Sequence, residues 1–306
     1  MIILDTLFPI FALLGLGRAL KQTGITTDLF LKTADRLVYY IFFPVMLFWK
    51  VGSSTGQAAP ALGLCAAGGM GVGLVCLLSL VYINRARVPA FQAGAFAQSA
   101  FRFNTYIGMA IILGVLGEEG VRYFGILIGI LIPCINVAAV SILIWYASEK
   151  MSLARKLKIF SRALLSNPLI LGCAGGLMVS GTGLDFPGFM TNTFALMSSV
   201  TLPLALISIG GTLSFNGVTQ HWRTAMAAAV LKLAVLPLAG FLSLTLLGVD
   251  GTAFKVGMIF FCLPTSTALY VLSAQLNSDV ELASVAIMLS TLLSFISLSV
   301  GLLMAS

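Results

Sequence analysis

A proline followed by three hydroxyl residues interrupts a long apolar run near the end of the chain. Pro264 precedes Thr265, Ser266 and Thr267 at the midpoint of residues 253–275. Proline lacks a backbone N–H, and its ring collides with the carbonyl four residues earlier, so a helix must kink or unwind here. In hydrocarbon, the backbone groups freed by a break have to be buried in protein or line a water-filled cavity. The stretch therefore predicts a solute site, with a simple proline kink as the structural alternative.

The composition is that of an integral membrane protein. Hydrophobic residues make up 59% of the 306 residues and charged residues 9%, with a mean hydropathy of +1.07, whereas soluble domains contain about 25% charged residues. At about 20 residues per span, the chain has room for about ten transmembrane helices. We interpret the net charge of +7 as cytoplasm-facing charge and expect no nucleic-acid partner.

Ten apolar segments are bounded by glycine, proline, asparagine, aspartate or charged residues. The predicted spans are residues 3–20, 37–51, 61–83, 91–116, 123–147, 164–179, 189–213, 223–247, 253–275 and 280–304. A basic linker, residues 148–162, separates a first repeat of five spans, residues 1–147, from a second, residues 163–306. Because no basic residue precedes Arg18, we expect the first span to be kept rather than cleaved as a signal peptide.

The lysines and arginines of the loops predict the orientation. Most of them, including the cluster of the central linker, fall on one side of the predicted membrane. The positive-inside rule makes that side cytoplasmic and puts both termini outside. We therefore expect a multi-pass protein of the inner (plasma) membrane.

The two halves of the sequence match after a shift of 159 residues. The shift aligns proline and glycine landmarks without a gap: Pro9 with Pro168, Gly17 with Gly176, Pro44 with Pro203, and Gly52 with Gly211. Because each half has an odd number of spans, the second half is expected to be inverted relative to the first, as in alternating-access transporters. Chance matching between apolar helices is the alternative.

The same shift places a second polar group at the position that corresponds to Pro264. Pro264 aligns with Thr105, which follows Arg102 and Asn104 at the midpoint of the fourth span. Such residues are costly at bilayer depth unless they face polar partners, although an asparagine or threonine bonded to a neighbouring helix is also common. The pairing of two breaks favours a binding site. Lys232, inside the eighth span, is a further candidate; it could instead snorkel or pair with a carbonyl.

Five short motifs follow one another along nearly the whole chain. They are residues 104–108, 166–170, 201–210, 263–274 and 289–294. Together with ten spans and no long cytoplasmic insert, these motifs resemble the auxin efflux carrier family, which includes plant PIN-type carriers, and specifically its bacterial-type members.

The resemblance implies an all-α polytopic membrane protein of ten transmembrane helices, built as two inverted five-helix repeats with a fold similar to that of bile acid/sodium symporters. Spans one, two, six and seven would form a scaffold, often dimeric. Spans three to five and eight to ten would form a transport domain that slides past the scaffold.

In PIN-type carriers, spans four and nine cross, each is broken at a proline, and the substrate carboxylate binds between them near an asparagine of span four. Asn104 matches that asparagine and Pro264 matches the span-nine proline. Phe103 occupies the place of the span-four proline. The first break is therefore expected to be softer, or to be made by Asn104, Thr105 and Gly108 alone.

The implied activity is secondary active or facilitative transport of a small organic anion, such as an auxin-like acid or a dicarboxylate like malate or malonate, by an elevator-type mechanism. Half-helix N-termini near the two breaks would favour an anion. The expected partners are that anion, the bilayer and a second copy bound through the scaffold. The candidate substrate-binding residues are Arg102, Asn104, Thr105, Lys232, Pro264, Thr265 and Ser266.

The sequence predicts neither an enzyme nor a metal site. No Asp or Glu falls at mid-membrane, the five cysteines lack CxxC or Cys/His spacing, and the single histidine, His221, lies in a predicted cytoplasmic loop. We expect no cofactor, while coupling to Na⁺ or H⁺ stays open. A channel or a solute sensor that uses the same broken helices is the alternative function.

Overall fold

The computed structural model describes residues 2–53, 59–146, 167–183, 185–213 and 217–305, and the regular structure within these residues is helical throughout. The predicted linker, residues 148–162, lies outside them. In chain order the helices are α1 (Ile2–Gln22), α2 (Asp28–Leu37), α3 (Phe43–Gly52), α4 (Ala59–Arg85), α5 (Ala90–Phe101), α6 (Thr105–Tyr146), α7 (Pro168–Thr182), α8 (Gly188–Thr212), α9 (Val218–Val230), α10 (Leu236–Leu246), α11 (Gly251–Phe261), α12 (Ala268–Gln275) and α13 (Val280–Ala305).

Two pairs of these helices are continuous. The π-helical turn Val38–Phe42 joins α2 to α3, and the π-helical turn Leu231–Val235 joins α9 to α10. Helix α6, in contrast, is two helices, because Gly117 has a φ of 61° and a ψ of −149°, which glycine adopts without steric cost. This break falls within the predicted boundary between the fourth and fifth spans, residues 116–123, but it is shorter than expected, since only Gly117 leaves the helical conformation.

The chain is a polytopic membrane protein by the length and hydropathy of its helices. Within the described residues, six helical segments are long and apolar enough to cross a membrane: Ile3–Gln22, Ala61–Arg85, Ala90–Tyr146, Gly188–Thr212, Val218–Leu246 and Val280–Met304. Two shorter apolar helices, α7 and α11, accompany them. The all-helical membrane class predicted from composition is confirmed.

Glycines allow two pairs of helices to pack with their backbones in contact. A Cβ atom added to Gly210 of α8 would overlap the carbonyl of Leu14 of α1, and one added to Gly17 would overlap the carbonyl of Ile207. In the second pair, a Cβ on Gly172 of α7 would lie 2.5 Å from the carbonyl oxygen of Pro44. Such close approach gains dispersion energy where lipid offers no hydrophobic driving force between helices.

A second set of contacts ties the start of α5 to the segment between α12 and α13. The backbone N–H of Asp279 and the Ser278 hydroxyl both donate to the carbonyl of Phe91, at 3.0 Å each. Ser278 Oγ also accepts from the backbone N–H of Ala95 at 3.2 Å. The Asp279 carboxylate caps α13 by accepting from the N–H of Leu282 at 2.9 Å. One short segment thus satisfies the ends of two helices.

Replacing Gly210 with alanine tests the glycine contact. We expect Gly210→Ala to lower the apparent unfolding temperature of the purified protein, because overpacking of a tight contact costs about 1–3 kcal/mol. Gly15→Ala is the matched control on the exposed side of α1, where an added Cβ would meet no atom within 4 Å. Equal stability of the two variants would contradict the close packing.

Candidate functional site

The two predicted breaks meet each other. Helix α5 ends at Phe101 and α6 begins at Thr105, while α11 ends at Phe261 and α12 begins at Ala268. The backbone N–H of Asn104 donates a hydrogen bond of 2.9 Å to the carbonyl of Pro264. The two interrupted helices therefore contact each other through the backbone of their non-helical segments.

Asn104 makes the first break possible without a proline. Its side-chain Oδ1 accepts from the N–H groups of Tyr106 and Ile107, at 3.1 and 3.2 Å, which is the cap that the first turn of a helix requires. Thr105 and Gly108, which were expected to contribute to the break, are both helical. The interruption is complete despite Phe103, because the asparagine cap starts a new helix at Thr105.

The Asn104 side chain also carries a hydrogen-bond donor, the amide nitrogen Nδ2. Asn104 is 1% exposed, and its Nδ2 has no hydrogen-bond partner among the described residues. A buried donor without a partner costs about 1–3 kcal/mol. The oxygen of this amide therefore stabilises the fold, while the nitrogen is available to an acceptor that reaches the crossing.

Thr265 joins the second break to its surroundings. Its hydroxyl donates to the carbonyl of Ser99 at 2.7 Å, a carbonyl left without a helical partner where α5 ends. Its backbone N–H donates to Ser290 Oγ of α13 at 3.2 Å. Two turns further along α13, the Ser297 hydroxyl donates to the carbonyl of Cys262 at 2.8 Å.

Ser266 caps the half-helix that follows the break, because its hydroxyl accepts from the N–H of Ala268 at 3.3 Å. The start of α12 is therefore later than the sequence interpretation placed it, near Thr265. Ser290 and Ser297 were not among the predicted site residues. Ser290 belongs to one of the family-like motifs, and the spacing of the serines along α13 is the sequence signal that could have found both residues.

Arg102 lies in the first break but is held by neutral groups. Its Nη2 donates to Asn136 Oδ1 at 3.0 Å and its Nη1 to Gln98 Oε1 at 3.4 Å. Arg102 is 7% exposed, and no carboxylate of the described residues forms an ion pair with it. The break therefore contains a buried cation whose charge is not balanced by an acidic side chain of the described chain.

Lys232 lies elsewhere, on the π-helical turn between α9 and α10. It is fully buried, near the thiol of Cys262 at the end of α11. The structure therefore brings Asn104, Thr105, Pro264 and Thr265 together at the crossing and places Lys232 beside the start of the second break.

A cleft of about 540 Å³ lies beside the half-helix that starts at the first break. Its lining comes from α1, α6 and α8 and includes Asp5, Pro9, Ala110, Gly114 and Pro203. Ala110 follows Asn104 by six residues, about 9 Å along the helix. The cleft thus runs along the helix that begins at the crossing.

Sequence comparison identifies the family. The sequence profile described as "Membrane transport protein" matches residues 2–302. The chain belongs to this family. It is the auxin efflux carrier family that the five motifs resemble, so the resemblance is confirmed.

Two archaeal members of the family align with nearly the whole chain. An uncharacterized transporter of Methanocaldococcus jannaschii is 22% identical over 306 residues, which cover 97% of this chain and 96% of that protein. An uncharacterized transporter of Methanothermobacter thermautotrophicus is 23% identical over 307 residues, 96% of this chain and 95% of that one. The protein is a membrane transporter, and the prediction that it is not an enzyme is confirmed.

The position predicted for His221 is wrong. His221 belongs to α9 and is 5% exposed. Its Nε2 lies 3.5 Å from Glu281 Oε2, and its Nδ1 lies 3.9 Å from Asp279 Oδ2. Gln92 Nε2 is 3.5 Å from Nδ1. The histidine is buried by residues distant in sequence, and within the described residues no three metal-binding side chains form a group.

Replacing Thr265 with valine tests the link between the breaks. Thr265→Val keeps the side-chain shape but leaves the Ser99 carbonyl without its donor, so we expect a loss of about 1–3 kcal/mol of stability. Thr193→Val is the control, because the Thr193 hydroxyl donates within its own helix and is exposed. Thermal unfolding of both variants measures the difference; a loss no greater than that of the control would contradict this role of Thr265.

Proposed function

We propose that the protein carries a small organic anion, such as an auxin-like acid or a dicarboxylate, through the crossing of its two broken helices. The observation that carries this proposal is the buried, unpartnered Nδ2 of Asn104 at the contact between the breaks. A carboxylate is the acceptor that such a donor binds most strongly, because hydrogen bonds to ionised groups are about twice as strong as neutral ones.

The charges at the crossing favour an anion over a cation. Helices α6 and α12 both begin at a break, and the N-terminus of a helix carries a partial positive charge. Arg102 adds a buried positive charge that no acidic side chain of the described residues pairs with. An anion at the crossing would interact favourably with the two helix N-termini and with the charge of Arg102.

Ten spans are part of the proposal. The non-helical residues 102–104 and the conformation of Gly117 divide the 57-residue segment Ala90–Tyr146 into more than one crossing. The π-helical turns keep α2 with α3, and α9 with α10, as single spans. When α5 is counted with residues 105–116, and α11 with α12, the helices add up to ten spans.

An inverted repeat is supported by the helix bounds. The shift of 159 residues moves Ala59–Arg85 onto 218–244, where α9 and α10 run from Val218 to Leu246. It also moves Ala90–Phe101 onto 249–260, where α11 is Gly251–Phe261.

The close contacts between helices repeat under the same shift. An added Cβ on Gly17 would meet Ile207 and Gly211, while one on Gly176 would meet Phe48 and Gly52. Gly176 corresponds to Gly17 under the shift, and Phe48 and Gly52 correspond to Ile207 and Gly211. The same contact therefore occurs twice, with the roles of the two halves exchanged. Two halves that are alike in structure can exchange conformations, which is the basis of alternating access.

An elevator-type motion fits the arrangement of the helices. Helices α1, α2, α3, α7 and α8 pack against one another and would form the scaffold, whereas α4–α6 and α9–α13 would move with the crossing. The cleft between α1, α8 and α6 lies where the moving part would slide. We include in the proposal a homodimer through the scaffold, in the inner membrane with both termini outside.

Binding and flux can be tested separately. A thermal-shift panel of organic anions on the purified protein should identify the ligand, because a ligand that binds only the native state stabilises it by RT ln(1 + [L]/Kd). Counterflow of the labelled anion into proteoliposomes then separates a carrier from a channel, which shows no trans-acceleration, and from a sensor, which shows no flux. Absence of stabilisation by any anion would contradict the proposal.

The asparagine can be tested without removing its cap. Asn104→Ser keeps an oxygen acceptor for the first turn of α6 but loses the Nδ2 donor. Loss of a hydrogen bond to a charged group costs about 1.5–3 kcal/mol, so we expect Kd for the anion to rise about 10- to 100-fold. Asn192→Ser, at an exposed position of α8, is the control and should bind normally. Unchanged affinity in a folded Asn104→Ser protein would remove Asn104 from the site.

The buried arginine provides an independent test of charge. Arg102→Gln retains a donor for Asn136 but removes the positive charge, so binding of an anion should weaken while the fold is kept. Arg36→Gln, at an exposed position, controls for net charge. Isothermal titration of both variants with the same anion measures how much the charge of Arg102 contributes to binding. Equal affinities of the two variants for the anion would make Arg102 a structural residue.

A further inference from the structure

Lys232 is a buried amine that the proposed binding site does not use. It lies on the π-helical turn Leu231–Val235, which packs against α4, α5 and α13. The side chain is 0% exposed, and its Nζ has no hydrogen-bond partner among the described residues. A structural lysine in a membrane is expected to reach water or to pair with a carbonyl or a carboxylate. Lys232 does neither.

The titratable group that faces Lys232 is the thiol of Cys262. The other titratable side chains on the helices packed against its turn are Cys65, Cys76, Tyr82 and Arg85 on α4, His221 and Arg223 on α9, and Glu281 on α13. His221 precedes Lys232 by eleven residues, about 16 Å along the helix. No carboxylate of the described residues forms an ion pair with the amine.

The turn that carries the amine packs against α5, which ends at the first break, and against α13, whose serines bond the second break. Cys262 is two residues before Pro264, so their Cα atoms are at most about 7.6 Å apart. The carbonyl of Pro264 accepts from Asn104, whose free Nδ2 is the proposed anion contact. In a medium of low dielectric constant, a charge at the crossing acts over a longer distance than in water.

We propose that Lys232 takes up a proton when the anion binds, so that one proton and one anion cross the membrane together. This inference rests on the proposed function. An ammonium group without an acceptor is costly inside a protein, so the free carrier holds the neutral amine. Binding of an anion nearby supplies the missing opposite charge and makes the ammonium form favourable.

The cycle balances in charge and in atoms. The neutral amine accepts one H⁺ from the side on which the anion enters, and the ammonium ion and the anion are carried together. On the other side both the anion and the H⁺ are released, and the neutral amine returns. A monovalent anion therefore moves without net charge, and a pH gradient drives it.

Proton uptake can be measured by isothermal titration without any transport assay. The wild-type protein is titrated with malonate and with indole-3-acetate in two buffers of different ionisation enthalpy, which gives the number of protons bound per anion. We expect uptake approaching one proton at alkaline pH. By linkage, Kd should then rise about tenfold per pH unit in that range.

Lys232→Met removes the amine while keeping an unbranched side chain of similar length, and its proton uptake should vanish. Because it removes a buried group without a partner, we expect it to fold and to unfold no earlier than the wild type. Lys232→Arg, with a fixed charge, should bind the anion with no proton uptake. Lys255→Met, at a partly exposed position of α11, is the matched control and should behave as the wild type.

The outcomes separate this inference from the function on which it rests. Anion binding without proton uptake by the wild type, or equal uptake by the wild type and Lys232→Met, overturns the proton role and leaves the anion site intact. If neither anion nor any member of the thermal-shift panel binds, the proposed function fails and the proton role fails with it.

Discussion

The hydrogen bond from the Asn104 backbone to the carbonyl of Pro264 is the contact on which the site depends. Each broken helix leaves backbone donors and acceptors without helical partners, and hydrocarbon offers no water to satisfy them. The two breaks satisfy part of this requirement for each other, and Ser290, Ser297 and Thr265 satisfy more of it. Neither break would be stable at that depth alone. The crossing of the two helices is therefore a condition of folding as well as the proposed binding site.

The predictions that succeeded rested on local chemistry. Composition was enough for the all-helical membrane class, and the missing N–H of Pro264 was enough for the second break. Because Phe103 replaces a proline, the first break was expected to be softer, or to be made by Asn104, Thr105 and Gly108 alone. It is complete, and Asn104 caps the helix that follows it. An asparagine can start a helix by capping its first turn. Whether Asn104 does so depends on the second broken helix, whose position the sequence does not give.

The predictions that failed rested on contacts between distant residues. His221, beside Gln220 and Trp222, was taken for a loop residue, although it is buried by Asp279 and Glu281, which follow it by almost sixty residues. The roles of Ser290 and Ser297 depend in the same way on the Thr265 N–H and the Cys262 carbonyl, which are freed only when the second break forms. The position of Lys232 near Cys262, outside the crossing itself, could not be derived from its place in an apolar run.

The segment between α12 and α13, which bonds to Phe91 and Ala95 at the start of α5, has a consequence for the speed of transport. It connects helices from the two halves of the sequence, so in the proposed elevator motion these helices would move together. A body of this kind would move without rearranging its own hydrogen bonds. The activation barrier would then come from the friction of its outer surface against the scaffold and the lipid, and the turnover rate should respond to membrane viscosity and thickness more than to the chemistry of the cargo.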